Sequence, residues 1–245
     1  MPQYRLLLEY DGTEYSGWQL QPNARTLQGV LESALETVLR HPVRVAAAGR
    51  TDAGVHAMGQ VATFRSDAVV VPRELRASLN ALTPRDVVVR DVAPVADDFD
   101  PRRHATARVY EYRIWNLPAP SAFWHRYTWH VPRALDVRAM RDAASVLAGT
   151  HDFSAFRAAD CEAANPVRRV SHSGVTDGES MIVYRVEATA FLKHMVRAIV
   201  GTLVEVGAGD RTADDVGAVL AGRDRRRAAA TAPPQGLVLM SVRYD

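Results

Sequence analysis

The order of strand-like and helix-like segments is the feature that most constrains the fold of this chain. The first hundred residues predict strand, helix, strand, loop, strand, helix and strand, beginning with a strand at Tyr4–Tyr10 and a helix at Leu27–Arg40 that Thr26 caps. The rest of the chain predicts a second set of about four strands and two main helices. Helices in such a chain bury their apolar side against a sheet. The sequence therefore predicts an α+β fold.

A polar, charge-rich segment at residues 97–108 is the best candidate boundary between two subdomains. We expect an N-terminal α+β subdomain at residues 1–100 and a C-terminal one at residues 101–245. Both are expected to be related α/β sandwiches of the RNA-recognition or ferredoxin-like type, joined through a mostly antiparallel sheet with helices packed on it. The main elements predicted after the boundary are a strand at Ala107–Trp115, a hairpin of Val167–Thr176 and Met181–Ala190, and an apolar helix at Phe191–Val206.

Composition restricts the classes of function. The formal charge is only +2, but Lys193 is the one lysine among 30 basic residues, so arginine dominates. Arginine suits phosphate and base contacts, although a GC-rich coding sequence would give the same bias. Cys161 is the single cysteine, and neither a signal peptide nor a membrane span is evident, which predicts a cytoplasmic protein without membrane contact. The sequence contains no phosphate-binding loop, no spaced metal ligands and no hydrolase elbow, so we expect neither a cofactor nor a metal.

The most informative local pattern is the run from Gly49 to Ala62, GRTDAGVHAMGQVA, which has Asp52 near its start. Apolar segments precede and follow it, so Asp52 is predicted to lie in a glycine-rich loop between two strands. Arg50, two residues earlier, can keep such a carboxylate ionised. The simpler alternative is a turn that carries a surface ion pair.

The run from Gly49 to Gln60 closely resembles the active-site signature of the tRNA pseudouridine synthases of the TruA type. Further segments resemble other motifs of that family in the same order along the chain, so the resemblance extends from one end to the other. These segments are Glu9–Gly12, Gly17–Gln19, Ala107–Ile114, Phe191–Gly201 and Gln235–Leu237.

The resemblance implies an isomerase that converts uridine to pseudouridine at positions 38, 39 and 40 of the tRNA anticodon arm. It implies that Asp52 is the nucleophile and that Tyr110 stacks on the flipped base, with Tyr110 or a water taking the C5 proton. Arg50 and Arg197 would pair with and orient Asp52, and Leu237 would give the base an apolar contact. It also implies a homodimer in which two subunits share one tRNA.

Several assignments stay open at the level of sequence. Asp52 would attack either C1′ of the ribose or the uracil ring. His56 would contact RNA phosphate or cap a turn. Arg108 and the run from Arg223 to Arg227 would bind phosphate or form a solvated face.

Two other functions compete with an isomerase. A non-catalytic RNA-binding module would not explain an acidic residue in an RNA cleft. A nucleoside or glycoside hydrolase normally needs two carboxylates, whereas the Asp52 run offers one.

Overall fold

The computed structural model describes residues 1–244, which form mixed α/β structure with mostly antiparallel strand pairing. The strands are β1 (Gln3–Tyr10), β2 (Ala46–Ala47), β3 (His56–Arg65), β4 (Val87–Val95), β5 (Ala107–Trp115), β6 (Trp129–His130), β7 (Gly149–Asp152), β8 (Val167–Asp177), β9 (Met181–Ala188) and β10 (Leu237–Arg243). The α-helices are α1 (Leu27–Leu39), α2 (Pro72–Leu82), α3 (Val137–Ser145), α4 (Met195–Gly207) and α5 (Ala213–Gly222). The predicted α+β class is confirmed at this level.

The chain divides into two compact units. The first unit comprises Met1–Thr106 together with the C-terminal residues from Val238, and the second unit comprises Ala107–Leu237. The division thus lies inside the polar segment 97–108, six residues beyond the predicted boundary. It also differs from the prediction in assigning nearly all of β10 to the first unit, because Val238 and Leu239 pair in parallel with His56 and Ala57. No local pattern in a strand sequence specifies a partner so distant in the chain.

The first unit is a sheet in the order β4-β1-β3-β10 with two helices. β1 is antiparallel to both β3 and β4, and β2 adds a short antiparallel pair to β3. α1 begins as predicted, because Thr26 accepts a hydrogen bond from the Gly29 amide. The apolar side of α1 is buried, with Leu31 and Leu35 fully inaccessible to solvent. α2 has proline in its first turn, where the missing N–H would have no helical partner.

The second unit is an antiparallel series of β5, β9, β8 and β7, with β6 paired in parallel to β5. α3 packs on β8 and contacts α4 and α5. α4 is buried on nearly every side, which explains its almost continuous apolar sequence. It begins at Met195 rather than Phe191, because His194 has a left-handed backbone conformation with φ of 62°. Hydrophobic periodicity cannot reveal a single left-handed residue at a helix start.

No helix within residues 1–244 has the length and apolar character needed to cross a membrane.

Candidate functional site

The loop that carries Asp52 lies between β2 and β3 in the first unit. Asp52 itself is half-buried, Arg50 is exposed, and Thr51 between them is buried. The backbone turns back on itself after Asp52, since the Val55 amide donates to the Asp52 carbonyl at 3.1 Å. The loop therefore holds its one carboxylate at the surface while the residue before it is fixed in the interior.

A buried polar network anchors this loop to the strands beneath it. Gln60 on β3 donates from Nε2 to the Gly49 carbonyl at 2.7 Å and to the Tyr10 hydroxyl at 3.3 Å. The Tyr10 hydroxyl in turn lies 2.8 Å from the Thr51 hydroxyl. Desolvation by burial raises the pKa of Tyr10 to about 12, so its hydroxyl stays protonated near neutral pH. Sequence reasoning assigned no role to Tyr10, Thr51 or Gln60, although all three lie inside the motifs that it singled out.

A second loop, Tyr15–Trp18, packs directly on the Asp52 loop. The Trp18 amide donates to the Thr51 carbonyl at 3.0 Å, and the Gly54 amide donates to the Tyr15 carbonyl at 3.4 Å. Gly17 has φ of +90°, and a Cβ at this position would lie 2.8 Å from the Thr51 carbonyl oxygen. Only glycine suits both this backbone conformation and this close approach. These two constraints explain why the family-like segment Gly17–Gln19 begins with glycine.

His56 lies at the start of β3 and is 4% exposed. Its Nδ1 is 3.0 Å from the Gly12 amide and 3.1 Å from a carboxylate oxygen of Asp11. The Gly12 amide donates to Nδ1 when that nitrogen is unprotonated, whereas the Asp11 carboxylate accepts from it when it is protonated, so the two contacts belong to different protonation states of the ring. The turn-capping alternative for His56 therefore has an identified partner, whereas its contact with RNA stays a prediction.

Tyr110 lies on β5 of the second unit, opposite Val186 of β9. Its ring is 8% exposed and packs edge-to-face against Phe191, with the ring centroids 5.0 Å apart. Phe191 belongs to the non-helical segment before α4, so the late start of this helix provides the neighbour of Tyr110. Arg108, two residues earlier on β5, is also buried and donates to the Thr189 carbonyl at 2.6 Å. This contact gives Arg108 a structural role besides the predicted contact with substrate.

Arg197 lies in the first turn of α4 and is half-buried. Its Nε donates to the Ala232 carbonyl at 2.8 Å, and the Ala232 amide donates back to the Arg197 carbonyl at 3.1 Å. The predicted pairing of this guanidinium with a carboxylate stays a prediction, and the structure adds a backbone carbonyl as the partner of its Nε. A folded chain offers carbonyl oxygens that no residue pattern specifies.

The chain before Leu237 is fixed at two further points within the second unit. The Tyr112 hydroxyl donates to the Pro233 carbonyl at 2.7 Å. Gly236 lies against the Tyr112 ring, so closely that a Cβ would be 2.6 Å from two ring carbons. Burial raises the pKa of Tyr112, and the nearby charge of Arg197 partly opposes that rise. Arg197 and Tyr112 together define the path of the chain that leads to the buried side chain of Leu237.

The predicted site residues therefore form two groups, each described within its own unit. Arg50, Asp52 and His56 belong to the first unit, and the remaining four, Arg108, Tyr110, Arg197 and Leu237, belong to the second. The pairing of Arg50 or Arg197 with Asp52 stays a prediction.

The arginine run near the C-terminus has several internal partners. Arg223 lies 3.4 Å from Asp152, and Arg226 donates to both carboxylate oxygens of Asp224. Arg225 donates to the carbonyls of residues 228 and 229 and to the hydroxyl of Thr231. These arginines line an open depression of about 440 Å³ whose other lining residues include Ser154 and Arg157. Part of the run is thus structural rather than a simple solvated face.

Within residues 1–244, no three His, Cys, Asp or Glu side chains are grouped so that they could hold a metal ion.

Comparison with known proteins gives a consistent result. The family model for tRNA pseudouridine synthase matches residues 7–102 and 143–245. A protein from Myxococcus xanthus named tRNA pseudouridine synthase A is 54% identical over 246 aligned residues, covering 100% of this chain and 92% of the relative. Proteins of the same name from Geotalea uraniireducens and Methylobacterium nodulans are 46% and 47% identical, each over 100% of this chain and covering 100% and 96% of the relatives. The chain therefore belongs to the tRNA pseudouridine synthase family.

Proposed function

We propose that this protein isomerises uridine to pseudouridine in tRNA, with Asp52 as the nucleophile. Membership of the family carries the reaction class. The observation that supports the assignment of Asp52 is its half-buried carboxylate on a loop whose neighbouring residues are anchored to β1 and β3. A nucleophile on such a loop is held in place before substrate arrives, which lowers the entropic part of the barrier.

The chemistry requires only groups that the chain itself supplies. The N1–C1′ bond of uridine breaks, the uracil ring turns, and a C5–C1′ bond forms. The proton lost from C5 is matched by one gained at N1, so no electron, water or group donor is consumed. A carboxylate nucleophile divides this change into two easier steps, by attack on C1′ or on the uracil ring. In both cases the carboxylate form of Asp52 is the one that reacts.

The second unit contributes to the same reaction in this proposal. The target uridine leaves its stack to reach the enzyme, and Tyr110 and Leu237 contact the flipped base as an aromatic and an apolar wall. Tyr110 or a water removes the C5 proton. Arg197 and Arg50 orient Asp52, while His56 and Arg108 contact the RNA. Support for this part comes from the anchoring of the chain before Leu237 by Arg197 and Tyr112.

We further propose that the modified uridines are those at positions 38, 39 and 40 of the anticodon arm and that a homodimer binds one tRNA. The two units are proposed to be variants of one ferredoxin-like, RNA-recognition arrangement, and the protein to act in the cytoplasm. These points rest on the resemblance of the motifs to the family.

The decisive experiment is incubation of the purified protein with unmodified tRNA transcripts, followed by mapping of pseudouridine. We expect pseudouridine in the anticodon arm with the wild type and none with Asp52→Asn, Asp52→Ala or Asp52→Glu, while each variant keeps its fold and its tRNA affinity. Turnover by Asp52→Ala at more than about a hundredth of the wild-type rate would exclude Asp52 as the nucleophile, since loss of a nucleophile is far more damaging than that. Release of free uracil would instead indicate a hydrolase, and binding without any change in the RNA would indicate a binding module.

A further inference from the structure

We propose that Tyr10, Thr51 and Gln60 act as positioning residues for Asp52, through a buried set of hydrogen bonds that we call the loop clamp. The inference rests on the proposed role of Asp52 and names the residues that hold its carboxylate in register. None of the three is proposed to touch the substrate.

The loop clamp holds the Asp52 loop at two points. Gln60 Nε2 lies 2.7 Å from the Gly49 carbonyl oxygen, and the Tyr10 hydroxyl lies 2.8 Å from the Thr51 hydroxyl. Gln60 also donates to Tyr10 at 3.3 Å, which joins the two points into one network. Gly49 and Thr51 are the residues on either side of Arg50, and Thr51 immediately precedes Asp52. The path of the loop up to the carboxylate is thus determined by side chains of β1 and β3.

The strand pairing places the two anchors side by side. β1 and β3 pair with an irregular register between Leu8 and Tyr10, because Leu8 faces Gln60 whereas Tyr10 faces Ala57. Such an irregularity redirects a side chain relative to the regular alternation of a strand. It therefore allows the Tyr10 hydroxyl to reach both Gln60 and the Asp52 loop. A regular pairing would place Tyr10 opposite Met58, which is exposed on β3.

Burial makes the loop clamp sensitive to the loss of one atom. The exposed fractions of Gln60, Tyr10 and Thr51 are 0%, 3% and 5%. Water cannot replace a lost partner at such depth, so a missing hydroxyl leaves its neighbour unsatisfied and free to move. Three apolar side chains at this depth would pack without leaving any polar group unsatisfied. The three polar side chains instead form hydrogen bonds with the backbone and a side chain of the Asp52 loop, which accounts for their presence there. Catalytic groups need positions held within about 0.5 Å.

The first test compares Tyr10→Phe with the matched control Tyr4→Phe. Both tyrosines lie on β1 and both are buried. Tyr10→Phe loses the bonds to Thr51 and Gln60, whereas Tyr4→Phe loses the bond that Tyr4 accepts from the Val70 amide at 2.9 Å. Single-turnover rates, tRNA affinity and melting temperature would be measured for both. We expect Tyr10→Phe to lower the rate at saturating tRNA by about tenfold or more with unchanged affinity, because small displacements of a catalytic group have effects of that order. Tyr4→Phe should also lose stability but keep the wild-type rate.

The second test uses Thr51→Val and Thr51→Ser. Valine matches the shape of threonine but lacks the hydroxyl, whereas serine keeps it, so we expect the rate to fall with valine and to recover with serine. Asp52→Asn is measured alongside. An inactive Asp52→Asn together with wild-type rates for Tyr10→Phe and Thr51→Val would overturn the loop clamp and leave the proposed function intact. An active Asp52→Asn would overturn the proposed function itself.

Discussion

Replacement of Gly17 by alanine probes the contact between the Tyr15–Trp18 loop and the Asp52 loop. At φ of +90° an alanine adopts a left-handed conformation, which costs about 1–2 kcal/mol. Its Cβ would lie 2.8 Å from the Thr51 carbonyl oxygen, 3.1 Å from the Ala53 nitrogen and 3.2 Å from the Asp52 carbonyl carbon. These neighbours are backbone atoms, so relief requires the loops to separate. Overpacking of this kind costs roughly 1–3 kcal/mol more.

The second unit offers a control for the backbone term. Gly209 has φ of +80°, and a Cβ there would meet no atom within 4 Å. Gly209→Ala therefore has the conformational penalty without the collision, and the reduced entropy of the unfolded chain offsets about 0.4–1 kcal/mol in both variants. We expect losses in the free energy of unfolding of about 1 kcal/mol for Gly209→Ala and about 2–4 kcal/mol for Gly17→Ala.

The effect on turnover follows from the same distances. The Thr51 carbonyl has to retreat by about 0.6 Å to reach the 3.4 Å of an ordinary contact with the new Cβ. Asp52 is the next residue, and a displacement of 1 Å at a catalytic group can lower a rate about a hundredfold, so a loss of about tenfold is expected. Urea unfolding gives the stabilities, and single-turnover pseudouridine formation gives the rates. If Gly17→Ala matches Gly209→Ala in stability and the wild type in rate, the two loops are not in the tight contact described here.

Three further predictions concern other parts of the chain. Arg225→Ala should lower the free energy of unfolding by about 1–3 kcal/mol, because it leaves the carbonyls of residues 228 and 229 and the Thr231 hydroxyl without this donor. Replacement of the exposed Arg226 by alanine should change that free energy by less than about 0.5 kcal/mol, so equal effects in urea unfolding would contradict the structural role of Arg225. Tyr110→Phe keeps the ring that packs on Phe191 and loses the hydroxyl proposed to take the C5 proton, so tRNA binding should be retained while product release in a single turnover is delayed. Wild-type kinetics would show that Tyr110 contributes only the stacking of its ring. Chelation with EDTA should leave activity intact on an RNA substrate whose own folding does not need Mg²⁺, and recovery of lost activity by added zinc would refute this expectation.

Local chemistry explains which parts of the fold were predictable. Thr26 has a side chain that accepts from the third residue of a helix, and Ala107–Trp115 alternates as strands do, so these two elements begin where the sequence predicts. The missed features depend on partners distant in sequence or on single backbone angles. β10 pairs with β3 some 180 residues earlier, and α4 begins late because of one left-handed histidine.

In the candidate site, too, the sequence motif identified the reactive residue, whereas the residues that hold it in place became evident only from the fold. Asp52 was identifiable because its run is polar, glycine-rich and distinctive. The residues that hold its loop are a tyrosine, a threonine and a glutamine, which are common in strands and turns of every kind. Arg197 shows the same limit, because no residue pattern predicts that the carbonyl of Ala232 accepts from its Nε. Hydrogen bonds to backbone carbonyls satisfy a guanidinium without neutralising it, so its positive charge can still act on a carboxylate or on RNA. An arginine bound in this way is fixed in position yet still charged, which are the two properties that the proposed orientation of Asp52 requires.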